Sequence, residues 1–286
     1  MKKHLSTVLA ALVFLLGLAV MLYPTASDLW NRWRESQLLS NYDERVEGLS
    51  DDEREAMLAA ARAYNERLDP SFTDAFSGEQ PVASDEYWGL LDPDGTGVMG
   101  YVEIPKIDVR LPLYHGTSEE VLQRGLGHLA GTSLPVGGEG AHCVISGHRG
   151  LPTALLFTDL DQLAEGDRFA VHVLGETLAY EADQILVVDP DEVSALRPEG
   201  SGDYVTLLTC TPYGVNTQRL LERGHRVDGM GDEGFVTALD EVSRSLGLKG
   251  KIALTLLALI VALGIVRAIR GQAAGRDSHE GVHFRD

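Results

Sequence analysis

The chain has 286 residues, room for one ordinary domain with appendages, and a formal charge of −19 at pH 7. That charge argues against a nucleic-acid partner, whose phosphates it would repel. Two cysteines are too few for a disulfide framework, and no His/Cys cluster has ligand spacing, so neither a zinc site nor an organic cofactor is implied.

In chain order, Met1-Lys2-Lys3-His4 precedes a largely apolar run from Leu5 to Tyr23, diluted by Ser6, Thr7 and Gly17 and closed by Pro24. The run is near the roughly 20 residues that span hydrocarbon as a helix. A basic start and short apolar core also describe a signal peptide, but no clear small-x-small cleavage site ends the run, so a retained transmembrane helix is expected over residues 5–23. The lysines place the N-terminus in the cytoplasm. Residues 24–68 read as an extracellular helical segment and spacer: Trp30, Trp33 and Leu38 fit a membrane-proximal face, and Ser50-Asp51-Asp52-Glu53 is a capping box ahead of an Ala-rich run. From Asp69 to Asp85 the chain is polar and Pro/Gly-punctuated, so residues 69–90 are expected as a loop.

From Gly97 the pattern turns to short strands: Met99–Ile104, Val109–Tyr114, His142–Ser146, Arg168–Leu174, Leu178–Val188, Tyr204–Cys210 and Leu220–Val227. Helical turns are expected at Glu119–Arg124, Ala154–Leu160 and Glu192–Leu196. Evenly spaced short strands make residues 91–230 a mainly β barrel or sandwich. After a connector, 231–250, a second apolar stretch runs from Ile252 to Ile269 between Lys249, Lys251 and Arg270. With almost no polar face and with basic flanks that can snorkel, it is expected to span the membrane over 251–270, leaving residues 271–286 in the cytoplasm and the barrel outside the cell.

The chemistry gathers at strand ends. Tyr204 to Leu208 is a β-branched and apolar run that delivers Cys210 just before Pro212, Tyr213 and Gly214. A free cysteine is often only a small buried hydrophobe; this one has company. His148 ends the segment Val144-Ile145-Ser146-Gly147-His148, and Arg219 opens an apolar run that can lie beside the first. Thr209 stands next to Cys210. His128 lies in a Gly-flanked turn and supports either structure or a substrate groove. His115, His142, His172 and His225 have no companion groups in sequence and read as core or solvated residues, and Cys143 as a buried thiol. A Cys143–Cys210 disulfide would consume the nucleophile.

Thr206-Leu207-Leu208-Thr209-Cys210-Thr211-Pro212-Tyr213-Gly214-Val215-Asn216-Thr217-Gln218-Arg219 resembles the signature around the nucleophile of sortases, membrane-anchored cysteine transpeptidases of Gram-positive bacteria. Gly127-His128-Leu129-Ala130-Gly131-Thr132-Ser133-Leu134-Pro135 and Ser146-Gly147-His148-Arg149-Gly150 resemble two further family motifs in the expected order, and class C, the pilus-assembling branch, is the best match. The resemblance covers about Tyr101 to Val227. It implies an eight-stranded barrel and a C-terminal hydrophobic anchor. It also implies a lid in the loop: Asp74 and Phe76 match the acidic and aromatic lid positions, with Ala75 in place of the usual proline, while Asp69-Pro70-Ser71-Phe72 competes, keeping the proline but adding a residue.

The implied reaction is cleavage of an LPxTG-type sorting signal between Thr and Gly through a thioester on Cys210, with transfer to a pilin lysine amine. A peptidoglycan precursor amine is the variant acceptor. A thiolate needs a nearby positive charge or base. His148 can protonate the leaving amine and then accept a proton from the incoming one. Arg219 can place its fork of donors on the carbonyl or oxyanion, with Thr209 a second contributor through hydroxyl or backbone. A hydrolytic cysteine protease and a non-catalytic membrane-tethered barrel are the other readings.

Overall fold

The computed structural model describes residues 2–68, 76–77, 83–151 and 154–230, with side chains from residue 13 onwards except at 24–26, 28–29 and 32. The short apolar runs become strands β1 (Val98–Ile104), β2 (Val109–His115), β3 (Leu126–His128), β4 (His142–Ser146), β5 (Arg168–Val173), β6 (Glu176–Val188), β7 (Tyr204–Thr211) and β8 (Gln218–Val227). They close in the order β1-β2-β3-β4-β7-β8-β6-β5, which leaves no unpaired edge. The β2–β3 and β4–β7 pairs are parallel, and the rest are antiparallel. The expected eight-stranded barrel is the fold. β3 escapes the sequence reading because its 3 residues, one of them Gly127, carry no alternation to detect. The segment expected as a turn at Ala154–Leu160 does turn, with Thr158 N donating to Leu155 O and Leu160 N to Phe157 O, and runs into a 3-10 helix at Leu160–Gln162; Ser194–Leu196 is 3-10 within its expected segment.

Four helices accompany the strands among the described residues: α1 (Lys2–Glu47), α2 (Asp51–Glu66), α3 (Asp85–Gly89) and α4 (Glu119–Leu122). Ser50 and Glu53 form the capping box that opens α2. The later part of this helical segment is more than a spacer. Leu39, Tyr42 and Val46 of α1 and Leu58 and Ala61 of α2 are buried in the same core cluster as the barrel, where each large apolar side chain contributes roughly 1.5–3 kcal/mol. Tyr42 Oη donates to Met99 O at 2.9 Å and accepts from Leu174 N at 2.9 Å. Asn65 pairs with Leu134 as a strand would, accepting from its N–H at 2.7 Å and donating to its carbonyl at 3.1 Å.

Among the described residues no helix is long and apolar enough to cross a membrane. The expected first span has described side chains only from Val13, and those of Phe14, Leu16, Val20 and Met21 are exposed. The connector, the second span and the tail, from residue 231 on, lie outside the described residues.

Alternation along the strands sorts the barrel into two faces. Cys143 and Ile145 of β4, Val205 and Leu207 of β7 and Leu220 of β8 belong to the interior core, together with Phe169 and Tyr180, whose rings stack at 5.7 Å. Val144, Leu208 and Leu221 of the same strands point outward and join Leu129 and Leu196 in a smaller cluster. One carboxylate breaks the interior pattern. Glu222 shares the parity of Leu220, pairs with Leu207 across β7 and is 1% exposed. Burial, and then the charges of Asp161 and Asp167, push its pKa up to about 8.

Candidate active site

Cys210 and Arg219 are register partners on antiparallel β7 and β8. Residues directly opposite in such a pair have Cβ atoms about 4.5–5.5 Å apart on one face. Both side chains follow the outward parity of Leu208 and Leu221, at 6% and 8% exposure. Arg219 Nη1 donates to Asn216 O at 3.3 Å and Gln218 O at 3.1 Å, so the loop between the strands helps set the guanidinium.

His148 arrives from the neighbouring strand. The parallel β4–β7 ladder ends at Ser146 opposite Leu208. Beyond it, Gly147 N donates to Leu208 O at 3.0 Å and Thr209 Oγ1 to Gly147 O at 2.7 Å. His148 is the next residue after Gly147 and Cys210 the next after Thr209, so the two strands bring imidazole and thiol to the same end of the sheet. His148 Nε2 lies 3.4 Å from Glu119 Oε2. The other oxygen of Glu119 accepts from Gln123 Nε2 at 2.7 Å, which fixes the carboxylate along α4.

Phe76 marks the place where these groups converge. Its ring centroid is 5.4 Å from that of His148, with the planes tilted by 40°, and 5.2 Å from Arg219 Cζ. The ring also packs on the outward apolar cluster, whose walls include Leu129, Val144, Leu208 and Leu221, with Leu186 and Val188 of β6 beside them. One aromatic side chain therefore packs on the outward apolar cluster and touches two of the three polar groups. Asp74, and the competing Asp69 and Phe72, lie outside the described residues.

The structure narrows two readings that the sequence leaves open. Thr209 is fully buried and its hydroxyl is donated to Gly147 O, so it braces the neighbouring strand and has no free hydroxyl for substrate. His128 is also sealed. Tyr87 Oη donates to its Nδ1 at 2.9 Å, and its Nε2 faces Ser133 O at 2.9 Å. Burial lowers its pKa to about 4, which keeps it a neutral link between α3 and the barrel, away from any groove. His172 does have companions, Glu103 Oε2 at 3.0 Å and Thr177 Oγ1 at 3.0 Å under a stacked Tyr101 ring, but on β1, β5 and β6. Neither cysteine is in a disulfide, and Cys143 sits in the barrel interior, where burial raises its pKa. Among the described residues no group of three His, Cys, Asp or Glu side chains is placed to hold a metal ion.

Sequence reasoning missed Glu119 and Arg149. Arg149 carried a signal, its place directly after His148 in a Gly-flanked turn. Glu119 carried none, because its approach to the imidazole depends on how α4 packs.

A strand-end thiol, an imidazole and a guanidinium on one outward face form an arrangement able to run acyl transfer through a covalent thioester. Residues 102–227 match the model of the Sortase domain family. Sortase C of Streptococcus pneumoniae is 44% identical in sequence, with a TM-score of 0.62 over 68% of this chain and 97% of that one. Sortase C-1 from Actinomyces oris is 45% identical, with a TM-score of 0.59 over 62% of this chain and 99% of that one. Sortase D of Bacillus subtilis (strain 168) is 30% identical over 47% of this chain and 67% of the relative. The chain belongs to the sortase family of cysteine transpeptidases, on its class C branch.

Proposed function

We propose that this chain is a membrane-anchored, pilus-assembling sortase that cleaves an LPxTG-type signal between Thr and Gly and passes the acyl group to a pilin lysine. Cys210 gives its proton to His148 and attacks the threonine carbonyl. The oxyanion forms within reach of the Arg219 guanidinium, whose donors are worth a few kcal/mol each in such a site. As the C–N bond breaks, His148 returns the proton to the departing glycine amine, leaving a thioester on Cys210. A lysine amine then attacks the thioester, gives up a proton to His148 and expels the sulfur, which regains that proton. The acyl chain ends in an isopeptide bond.

The observation that supports this reading is the pairing of Cys210 with Arg219 across β7 and β8, with His148 at the adjoining strand end and one ring over two of them. We read Phe76 as the aromatic member of a lid and Asp74 as its acidic member. Substrate entry then requires the ring to leave the apolar cluster. Residues 5–23 and 251–270 are the proposed spans, which fit a substrate that is itself tethered at the membrane while it waits to be joined.

Mass spectrometry of the product made from an LPxTG peptide, a pilin and the enzyme tests the reading. An isopeptide-linked product supports it. Free acid alone makes the enzyme a hydrolase, and a product formed only with a peptidoglycan-type amine moves the acceptor from pilin to cell wall.

A further inference from the structure

We propose that Arg149 is a positioning residue for the reaction, a strap that keeps His148 abreast of Cys210. The inference rests on the reading of those two residues as the reacting pair. The β4–β7 register runs to Ser146 and Leu208, and the Gly147 N–Leu208 O bond at 3.0 Å extends it; Cys210 goes on in the β7–β8 ladder opposite Arg219, whereas His148 lies past the end of β4. Side chains take over on both sides of them. On the near side Thr209 Oγ1 donates to Gly147 O at 2.7 Å. On the far side Arg149 Nη1 donates to Thr211 Oγ1 at 3.2 Å. The bonds 147–209 and 149–211 bracket 148 and 210.

The strap is built into its surroundings. The Arg149 side chain is only 8% exposed and its Nη2 is paired with the Asp161 carboxylate. Its Cζ lies 5.9 Å from the centre of the Tyr213 ring. Tyr213 packs in turn on Gly150, which has φ +78°, and a Cβ there would stand 3.0 Å from the ring. Gly150 N donates to Thr158 Oγ1 at 3.1 Å, and Phe157 N to His148 O at 3.1 Å, so His148 and Gly150 are each anchored on either side of Arg149. Only a planar fork reaches a carboxylate on one nitrogen and a hydroxyl on another at fixed spacing; a lysine ammonium keeps the charge but loses that geometry.

The test compares steady-state transpeptidation by the full chain, using an LPxTG peptide and an amine acceptor, for the parent, Arg149→Lys, Thr211→Val, the double variant and Cys210→Ala. Arg149→Lys should lower kcat about tenfold with KM within twofold, and Thr211→Val about threefold, because orientation and not ground-state binding is lost. The double variant should be no slower than Arg149→Lys alone, since both changes cut one bond. Thr211→Val also serves if Arg149→Lys fails to fold, because it removes the acceptor and spares the Arg149–Asp161 ion pair. Either single variant keeping kcat within twofold of the parent, losses that multiply in the double variant, or a change confined to KM would overturn the proposal. Turnover by Cys210→Ala would instead sink the reading of the reacting pair, whatever Arg149 does.

Discussion

The two cysteines occupy adjacent strands of the same sheet, yet they live in opposite chemical worlds. Cys143 on β4 is the register partner of Val205 and points into the barrel. Its thiol is closed off by packing, and burial raises its pKa. Cys210 on β7 points outward at a strand end, opposite Arg219 and on the same face as the small apolar cluster on which Phe76 packs. Neither residue type nor percentage burial separates them, since both are buried. What separates them is which face of the sheet they stand on and how far along the strand. The inward face is sealed by a large continuous core; among the described residues the outward face here carries a small apolar cluster with the Phe76 ring on it.

This contrast can be broken most severely by removing the reacting groups. Cys210→Ala and His148→Ala should each lower turnover by at least about a thousandfold, because nucleophile and proton carrier act as a unit. Cys143→Ala should leave kcat near the parent value and lower Tm by several degrees, as cavity formation in a packed core does. Arg219→Lys should cost about a hundredfold in kcat, the scale of losing an oriented oxyanion donor. Full activity there would reduce Arg219 to a diffuse charge.

Phe76→Ala sharpens the comparison without touching chemistry. Labelling of Cys210 by a thiol reagent should speed up several-fold, while Cys143, closed by the barrel and not by the ring, stays unlabelled in the folded protein. Equal labelling of parent and variant would place the cover elsewhere.

The smallest effect concerns the inward face itself. Glu222 has its pKa raised by burial to about 8, against 4.5 as the ordinary value. The folded state therefore holds a proton that the unfolded chain releases at lower pH. The stabilisation is fully present below the unfolded carboxylate range and is lost as pH rises through about 8. Glu222→Gln should flatten the fall in Tm between pH 6 and pH 9 by a few degrees, read by thermal denaturation. A slope identical to that of the parent would mean that Glu222 does not titrate in this window.

The strands were legible where apolar and β-branched residues clustered between turn residues, as Val144 and Ile145 do within His142–Ser146, because packing and propensity agree there. The nucleophile stretch was legible through its motif and its position before Pro212. Less could be read where the outcome depends on which neighbour a side chain meets. Thr209 looks like a free hydroxyl beside the nucleophile until the parallel strand supplies Gly147 O as its acceptor. His128 reads equally as a structural or a groove residue until Tyr87, 41 residues away in sequence, closes over it. The contact of Phe76 with His148 and Arg219 likewise depends on how its loop packs, and the competing Phe72 lies outside the described residues.

The central claim is that acyl transfer runs on the outward face, through the sulfur of Cys210. Intact-mass and peptide-level mass spectrometry of the full chain, quenched during reaction with an LPxTG peptide, tests it directly. A thioester adduct on the Cys210 peptide, with the glycine-bearing fragment released and no adduct in His148→Ala, is the predicted result. An adduct on Cys143, or steady product formation by a chain whose Cys210 never acquires one, would contradict the account.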